Sequence, residues 1–241
     1  FGWQVYQAFQ QYFPNQTALV PHAPYSVSST LLHKLKEVTH PNSIISIHNQ
    51  ESADENIFFE TGEGSFRYLY NCLQVPIDDF FRPTGLTSLA SVMPQLPAAN
   101  NCILVHNSFT TKADIELIHQ KQAATTTHFC ICANANLYIE NCLPNIPLLH
   151  SSGIPIVIGT DSLASNHQLS IISELIAIQN GFPELNTTLL LNWATCNGAK
   201  ALGIDNWAGS FEKGKKPGIV LLEGMNQNSF LKETSNIKVI K

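Results

Sequence analysis

The sequence predicts an α/β fold of the barrel type, and three observations predict it. Apolar, β-branched runs alternate with helical patterns along most of the chain. Four of those runs end on a residue that can hold a metal or move a proton: Ala18–His22 (ALVPH), Ser43–His48 (SIISIH), Cys102–His106 (CILVH) and Pro155–Asp161 (PIVIGTD). From Gly218 the alternation stops and short β pieces without helices follow. Buried parallel strands read as continuous apolar runs, and barrels of such strands keep their chemistry at the carboxyl ends. The four ends therefore read as one active site assembled from strand tips.

The elements follow in order. Phe1–Phe13 has no initiator Met before it and reads as the middle of a folded segment. After the ALVPH strand, Ser26, Ser28 or Ser29 can cap a helix carrying Leu31, Leu32, Leu35 and Val38, which ends before Pro41. The SIISIH strand leads into a long connection from Ser52 to about Asn101. Helical patches near Ser65–Cys72 and Ser88–Met93 and turn signals at Pro76, Pro83-Thr84-Gly85 and Pro94 break it up. CILVH is a strand, Thr111–Gln122 a helix, Thr125–Cys132 a strand. Ile146–Ser152 runs to a stop at Gly153, Pro155–Asp161 is a strand, and Leu169–Asn180 and Thr187–Leu202 are helical with a second stop at Gly203. Five strands separated by helices imply a parallel sheet. The tail, IVLLEG and then IKVIK, would pair in a small accessory sheet.

Composition excludes several classes. The chain has 241 residues, enough for one substantial core, and only 13% are charged. The net charge of −5, with no basic cluster larger than Lys213–Lys216, speaks against nucleic-acid binding. No apolar run approaches the ~18 residues of a membrane span, and no charged start with an apolar core marks a secretory signal. The six cysteines lack zinc-finger spacing and read as free thiols of a cytoplasmic protein, Cys130 and Cys132 sharing one strand face.

The chemistry concentrates on five residues at the four strand ends. In His48-Asn49-Gln50-Glu51 the histidine ends its strand and the carboxylate follows three residues on. Metal-assisted hydrolysis needs a side chain to hold the ion and a carboxylate to take a proton, and His48 and Glu51 suit these roles. Asp161 leaves an apolar strand and needs a positive or hydrogen-bonding partner. His106 follows Ile103-Leu104-Val105 and could donate to an oxyanion or to attacking water. His22 could be a ligand or a substrate contact. His33, His40 and His119 lie on or beside helices and read as solvated, while His128 and His150 stay open. Arg67 and Arg82, the only arginines, sit in the long connection and read as a solvated face, although either could reach an anionic group.

These residues resemble the amidohydrolase superfamily, in the aminohydrolase branch with S-adenosylhomocysteine, methylthioadenosine, aminofutalosine and guanine deaminases and chlorohydrolase-like enzymes. The resemblance runs from about Val20 to Val220. It rests on Pro21-His22-Ala23-Pro24-Tyr25-Ser26, His48 with Glu51, the strand ending at His106, and Gly159-Thr160-Asp161-Ser162 with Ala164-Ser165-Asn166. Trp193-Ala194-Thr195, Asn197-Gly198-Ala199, Leu202-Gly203, Gly209-Ser210, Glu212–Lys215 and Pro217-Gly218 extend it. The resemblance implies a (β/α)8 TIM barrel holding one divalent metal, zinc or alternatively iron. It implies His48 and Asp161 as metal ligands, Asp161 also sharing the proton of the catalytic water. Glu51 would shuttle that proton, His106 would orient the attacking water and His22 would contact substrate. No lysine stands where the two-metal branches carry theirs, which favours a single ion.

Two departures stand out. The family's His-x-His of the first strand does not occur here, so the expectation is the C-terminal portion of a barrel whose first strands lie elsewhere. That gives a barrel unit over residues 1–217 and accessory β-sandwich strands over 218–241. Cys132-Ala133-Asn134-Ala135-Asn136 stands where relatives have Cys-Pro and then Ser-Asn; Asn136 still fits. The expected activity is hydrolysis of a carbon–nitrogen bond, deamination of an amino-heterocycle first. Amide, cyclic-amide or halide hydrolysis on the same site, or a barrel kept for binding, are the alternatives. The long connection would choose the leaving group. The expected partner is a small-molecule substrate, with no nucleic acid and no membrane, and with a homodimer as one open assembly.

Overall fold

The computed structural model describes residues 2–13, 17–40, 43–96, 101–121, 127–223 and 236–240. Helix α1 (Gly2–Tyr12) buries none of its side chains. Helix α2 (Ser29–Val38) starts where Ser28 accepts a hydrogen bond from the Leu31 amide, so the second of the three candidate serines is the cap. Strand β1 (Ile44–Asn49) follows. The long connection holds α3 (Ala53–Thr61), α4 (Ser65–Cys72) and α5 (Ser88–Val92). Strand β2 (Asn101–His106), α6 (Lys112–Lys121) and β3 (Thr127–Ile131) come next. Thr125 and Gln122, expected at the ends of these elements, lie outside the described residues. Helices α7 (Ala133–Glu140) and α8 (Ile146–Ser151) lead to β4 (Ile156–Ile158). The chain then forms α9 (Ile171–Gly181), α10 (Thr187–Asn192), a π-helical turn over Trp193–Asn197, and α11 (Gly198–Ala201).

Strands β1 to β4 pair in parallel, in the order β1-β2-β3-β4. Strand alternation sorts their side chains onto two faces. Ile45, Ile47, Cys102, Leu104, Phe129, Ile131 and Ile156 pack with helix residues such as Phe58, Ile118, Leu149, Leu175 and Ile178 in the larger core. Ile103, Val105, Cys130, Cys132 and Val157 form a second cluster on the opposite face. A parallel sheet of βα units with helices packed against it fits part of a barrel.

One expected strand is absent. Residues 17–23 form no strand, so the sheet has four parallel strands where five were expected. Pro21 has no N–H to give a ladder, and the segment meets β1 through one backbone bond, from the His48 amide to the His22 carbonyl (2.9 Å). After Gly218 the expected change of pattern is real. Strands β5 (Ile219–Glu223) and β6 (Asn236–Ile240) pair antiparallel in a separate two-stranded sheet.

The π-helical turn secures β4. Its last residue, Asn197, donates through Nδ2 to the Ile156 carbonyl (2.9 Å), so the Trp193–Ala199 stretch is tied to the strand that precedes Asp161. Gly159, just beyond β4, lies against the cysteine pair: a Cβ there would sit 2.8 Å from the Cys130 sulfur and 3.1 Å from that of Cys132. The six cysteines are unpaired thiols; Cys102, Cys130 and Cys132 are buried, whereas Cys72 is exposed and Cys142 and Cys196 are half-buried.

Candidate metal centre

The tips of β1 and β2 converge. Among the described residues, His48, Glu51 and His106 bring one ligand atom each within 4.8 Å of one another, a group able to hold a metal ion. The His48 and His106 ring centres are 5.0 Å apart, as are those of His22 and His48. Glu51 Oε1 lies 3.3 Å from His106 Nε2.

Strand register alone would not give this arrangement. In the β1–β2 ladder His48 is paired with Val105, and His106 with Asn49. Paired residues share a face, so an undisturbed ladder would place the two histidines on opposite faces. His106 takes a left-handed backbone (φ 77°), as do Asn107 (φ 60°) and Gln50 (φ 47°). These turns break the alternation and bring His106 and Glu51 round to His48. Left-handed backbone in non-glycine residues costs about 1–2 kcal/mol each, so surrounding bonds must hold it.

Those bonds are present and buried. Gln50 spends both ends of its side chain. Its Oε1 accepts from Thr110 Oγ1 (2.7 Å) and its Nε2 donates to Asp114 Oδ2 (3.0 Å). The Asn107 and Phe109 amides continue the ladder to the carbonyls of Asn49 and Gln50. Asn49 and Asn107 are bonded side chain to side chain (3.1 Å).

Asn136, on α7, fixes the tautomer of His106. Its Nδ2 donates to the His106 carbonyl and to Ser108 Oγ, so its Oδ1 faces His106 Nδ1 at 2.9 Å and accepts from it. Nδ1 therefore carries the proton, and Nε2 presents a lone pair. That Nε2 is buried and makes no hydrogen bond among the described residues. Burial pushes the His106 pKa down, so the ring is neutral, the form that binds metal or accepts from water. Burial and then His106 push His48 down as well. Burial pushes Glu51 up, opposed chiefly by His48. A neutral, unsatisfied imidazole nitrogen beside a second imidazole and a carboxylate suits a borderline divalent ion such as zinc or iron.

Asp161 lies outside the 4.8 Å group, with a left-handed backbone (φ 54°). Its Oδ2 accepts from Ser165 Oγ. Its charge acts on His48, Glu51 and His106, opposing burial at both histidines. His22 is held by Ser26, Nδ1 to Oγ at 2.8 Å. The five residues singled out in the sequence thus come to one end of the sheet. The tightest three are His48, Glu51 and His106, whereas the resemblance had paired His48 with Asp161 for the ion.

The other histidines and the two arginines named from the sequence lie outside this group. His33 pairs with Glu37 on an exposed helix face, and His119 meets the Ser152 carbonyl. His128 is buried in β3, and His150 packs against Trp193. Arg67 bonds the Gly62 carbonyl and Asp78, and Arg82 bonds the carbonyls of Asp78 and Phe81, so both staple the long connection to itself. That connection also meets the site through Tyr25, whose ring lies edge-on to His22 at 6.2 Å. Phe66 stacks on Tyr25 at 4.1 Å, and Tyr70 donates to the Tyr25 carbonyl. Asn136 was noted only as matching the family's pattern, and Glu55 and Glu174 were not singled out at all; their contacts reveal what they do.

The model of the amidohydrolase family matches residues 10–241. The chain belongs to the amidohydrolase family. Among its relatives, the 5'-deoxyadenosine deaminase of Methanocaldococcus jannaschii is 30% identical over 213 residues, 85% of this chain and 44% of that one. The adenosine deaminase of Helicobacter pylori is 27% identical over 93% of this chain and 54% of its own. Among solved amidohydrolase-like structures, the Helicobacter pylori aminofutalosine deaminase superposes with a TM-score of 0.73 at 22% identity. It covers 89% of this chain and 54% of its own. A zinc-bound adenosine deaminase of Xanthomonas campestris gives 0.70 at 22%, over 92% and 47%. The chain spans about half the length of the curated relatives it matches. Those structural likenesses show the fold: this chain has the sheet and helices of part of an amidohydrolase barrel.

Proposed function

We propose that the protein carrying this chain is a metal-dependent hydrolase that deaminates an amino-heterocycle, with an adenosine-like nucleoside as the substrate class. The observation that supports it most is the convergence of His48, Glu51 and the orphaned Nε2 of His106 in a member of a family whose relatives here are named as deaminases. We assign His48 and Asp161 to the ion, with zinc first and iron second. A divalent ion there supplies Lewis acidity that makes a water acidic near neutral pH.

The chain's own residues divide the remaining work. The His106 lone pair accepts a hydrogen bond from the attacking water and orients it. The water oxygen bonds to the ring carbon that bears the amino group. Glu51, with its pKa raised by burial, takes one proton of the water and passes it to the ring nitrogen; the proton left on the added hydroxyl passes to the amino group by way of Asp161, and ammonia leaves as the ring carbonyl forms. His22, at the edge of the site, contacts the substrate. Residues 218–241 are proposed as strands of an accessory β-sandwich, with residues 1–217 as the barrel unit.

The test is metal content and turnover of the full-length protein. About one zinc or iron per chain is expected, falling below about a tenth in His48→Ala and in Asp161→Ala, with deamination of at least one adenosine-type nucleoside. Full metal in Asp161→Ala would remove Asp161 from the ligand set and leave His106 in its place. A metal-free protein, even after reconstitution, would leave a barrel kept for binding. Leaving-group choice is assigned to the long connection, which reaches the site at Tyr25. Exchanging residues 62–87 with those of a relative of different specificity should move the preferred substrate; an unchanged preference would reject this assignment.

A further inference from the structure

We propose that Glu55 is a positioning residue for Glu51, holding the strand-to-helix turn that aims the proton carrier; this rests on the role given to Glu51 above. Ser52-Ala53-Asp54-Glu55 has the S-x-x-E spacing of a capping box, in which the glutamate three residues after the cap reaches back to the cap's own amide. Ser52 does occupy the cap position of α3, yet its side chain makes no capping bond. The Glu55 carboxylate passes it by. Oε1 accepts from the Gln50 amide at 2.9 Å, and Oε2 accepts from the Glu51 amide at 3.2 Å. Ser88, from α5, donates to Oε1 at 2.6 Å.

The consequence is local and directional. Gln50 has the left-handed backbone that swings the chain off β1, and Glu51 is the next residue. The two amides gripped by Glu55 are those of the kinked residue and of the residue whose side chain meets His106. Glu55 is fully buried, and among the described residues these three donors compensate its carboxylate. Burial, helped by the Glu51 charge, pushes its pKa up to about 7 against the opposing pull of the Ser88 hydroxyl and the Gln50 and Glu51 amides. A glutamate serving only to start α3 would close on Ser52.

The experiment compares Glu55→Gln and Ser88→Ala in the full-length protein. Glutamine can still accept from Gln50 and Ser88 through its oxygen. Its NH2 then meets the Glu51 N–H, donor against donor, and that bond is lost. Ser88→Ala removes the third donor and leaves both amide bonds in place.

Two readouts are taken. In nucleoside deamination, Glu55→Gln should lower kcat about 10- to 100-fold with KM within about twofold, the range seen when partners that support site residues are removed. Ser88→Ala should stay within about threefold of wild type in kcat. In amide hydrogen exchange, Glu51 N–H should exchange at least about tenfold faster in Glu55→Gln and not in Ser88→Ala. Wild-type kcat and wild-type protection at Glu51 in a folded Glu55→Gln protein would overturn the proposal. So would equal loss of kcat in both variants, which marks general support of α3. If the variant does not fold, the wild-type exchange decides: Gln50 and Glu51 amides exchanging like open loop amides would sink it. If no nucleoside is turned over, the exchange readout still tests the positioning, and the deaminase reading fails separately.

Discussion

Glu51→Gln in the full-length protein is expected to lower kcat for nucleoside deamination by about 10²- to 10⁴-fold, the usual contribution of a placed general acid–base, while metal content stays at the wild-type level. The amide keeps the shape of the side chain and cannot carry a proton between water and substrate. His48 and Asp161 are left in place, so the ion should remain. Glu51 Oε1 lies 3.3 Å from an imidazole nitrogen that presents a lone pair, so an ionised Glu51 puts acceptor against acceptor. A proton between them relieves this, and a water bridging the two groups can donate to both. That geometry makes Glu51 a group that both accepts and returns a proton. Steady-state kinetics beside elemental analysis checks it. Loss of the metal together with activity would show instead that Glu51 is a ligand, as its place in the three-donor group allows. Retained activity would remove it from the proton path.

The order of elements was legible because it is written in local patterns. Continuous apolar runs gave β1, β2 and β4, and caps and stops gave the ends of α2 and α8. The segment ending at His22 misled because Ala18-Leu19-Val20 has strand composition, while Pro21 and a single bond to β1 leave it without a ladder. The site was legible as residue types at strand tips. It was not legible as geometry. Nothing in Cys102–His106 announces a φ of 77° at His106, and a strict period of two would have separated it from His48. What holds the turns was missed for a related reason. Glu55 has the spacing of an ordinary capping glutamate, and Asn136, noted only as matching the family pattern, gave no sign of its bond to His106. Their function lies in partners up to 33 positions away, Ser88 and His106, and no local period encodes that.

Glu174→Ala should be the most damaging change outside the proposed catalytic groups, and it concerns the other half of the site. Glu174 is fully buried in the first turn of α9. Its Oε2 accepts from the Asn134 amide (2.9 Å), and its Oε1 accepts from Asn134 Nδ2 (2.9 Å) and Asn166 Nδ2 (2.7 Å). Cys132, at the start of α7, gives no side-chain cap, so the carboxylate of α9 satisfies an exposed amide of α7 from outside. Through Asn166, which also donates to the Thr160 carbonyl (2.7 Å), it ties down the loop that carries Asp161. Truncation leaves the Asn134 amide without its acceptor and takes one acceptor each from Asn134 Nδ2, which keeps Ser173 Oγ (3.2 Å), and Asn166 Nδ2, which keeps the Thr160 carbonyl. At about 1–3 kcal/mol for a group left unpaired, with the two weakened bonds added, the loss should be about 3 kcal/mol. Chemical denaturation of the full-length protein measures it, with Glu174→Gln expected to lose less because its oxygen keeps one side of the bridge. If Asp161 is a ligand, metal affinity should fall as well, by about tenfold or more, as when a partner supporting a metal ligand is removed. An unfolding midpoint equal to wild type would reject the bridge. A destabilised protein that binds metal as tightly as wild type would place Asp161 outside the ion's shell, leaving His48, Glu51 and His106 to hold it.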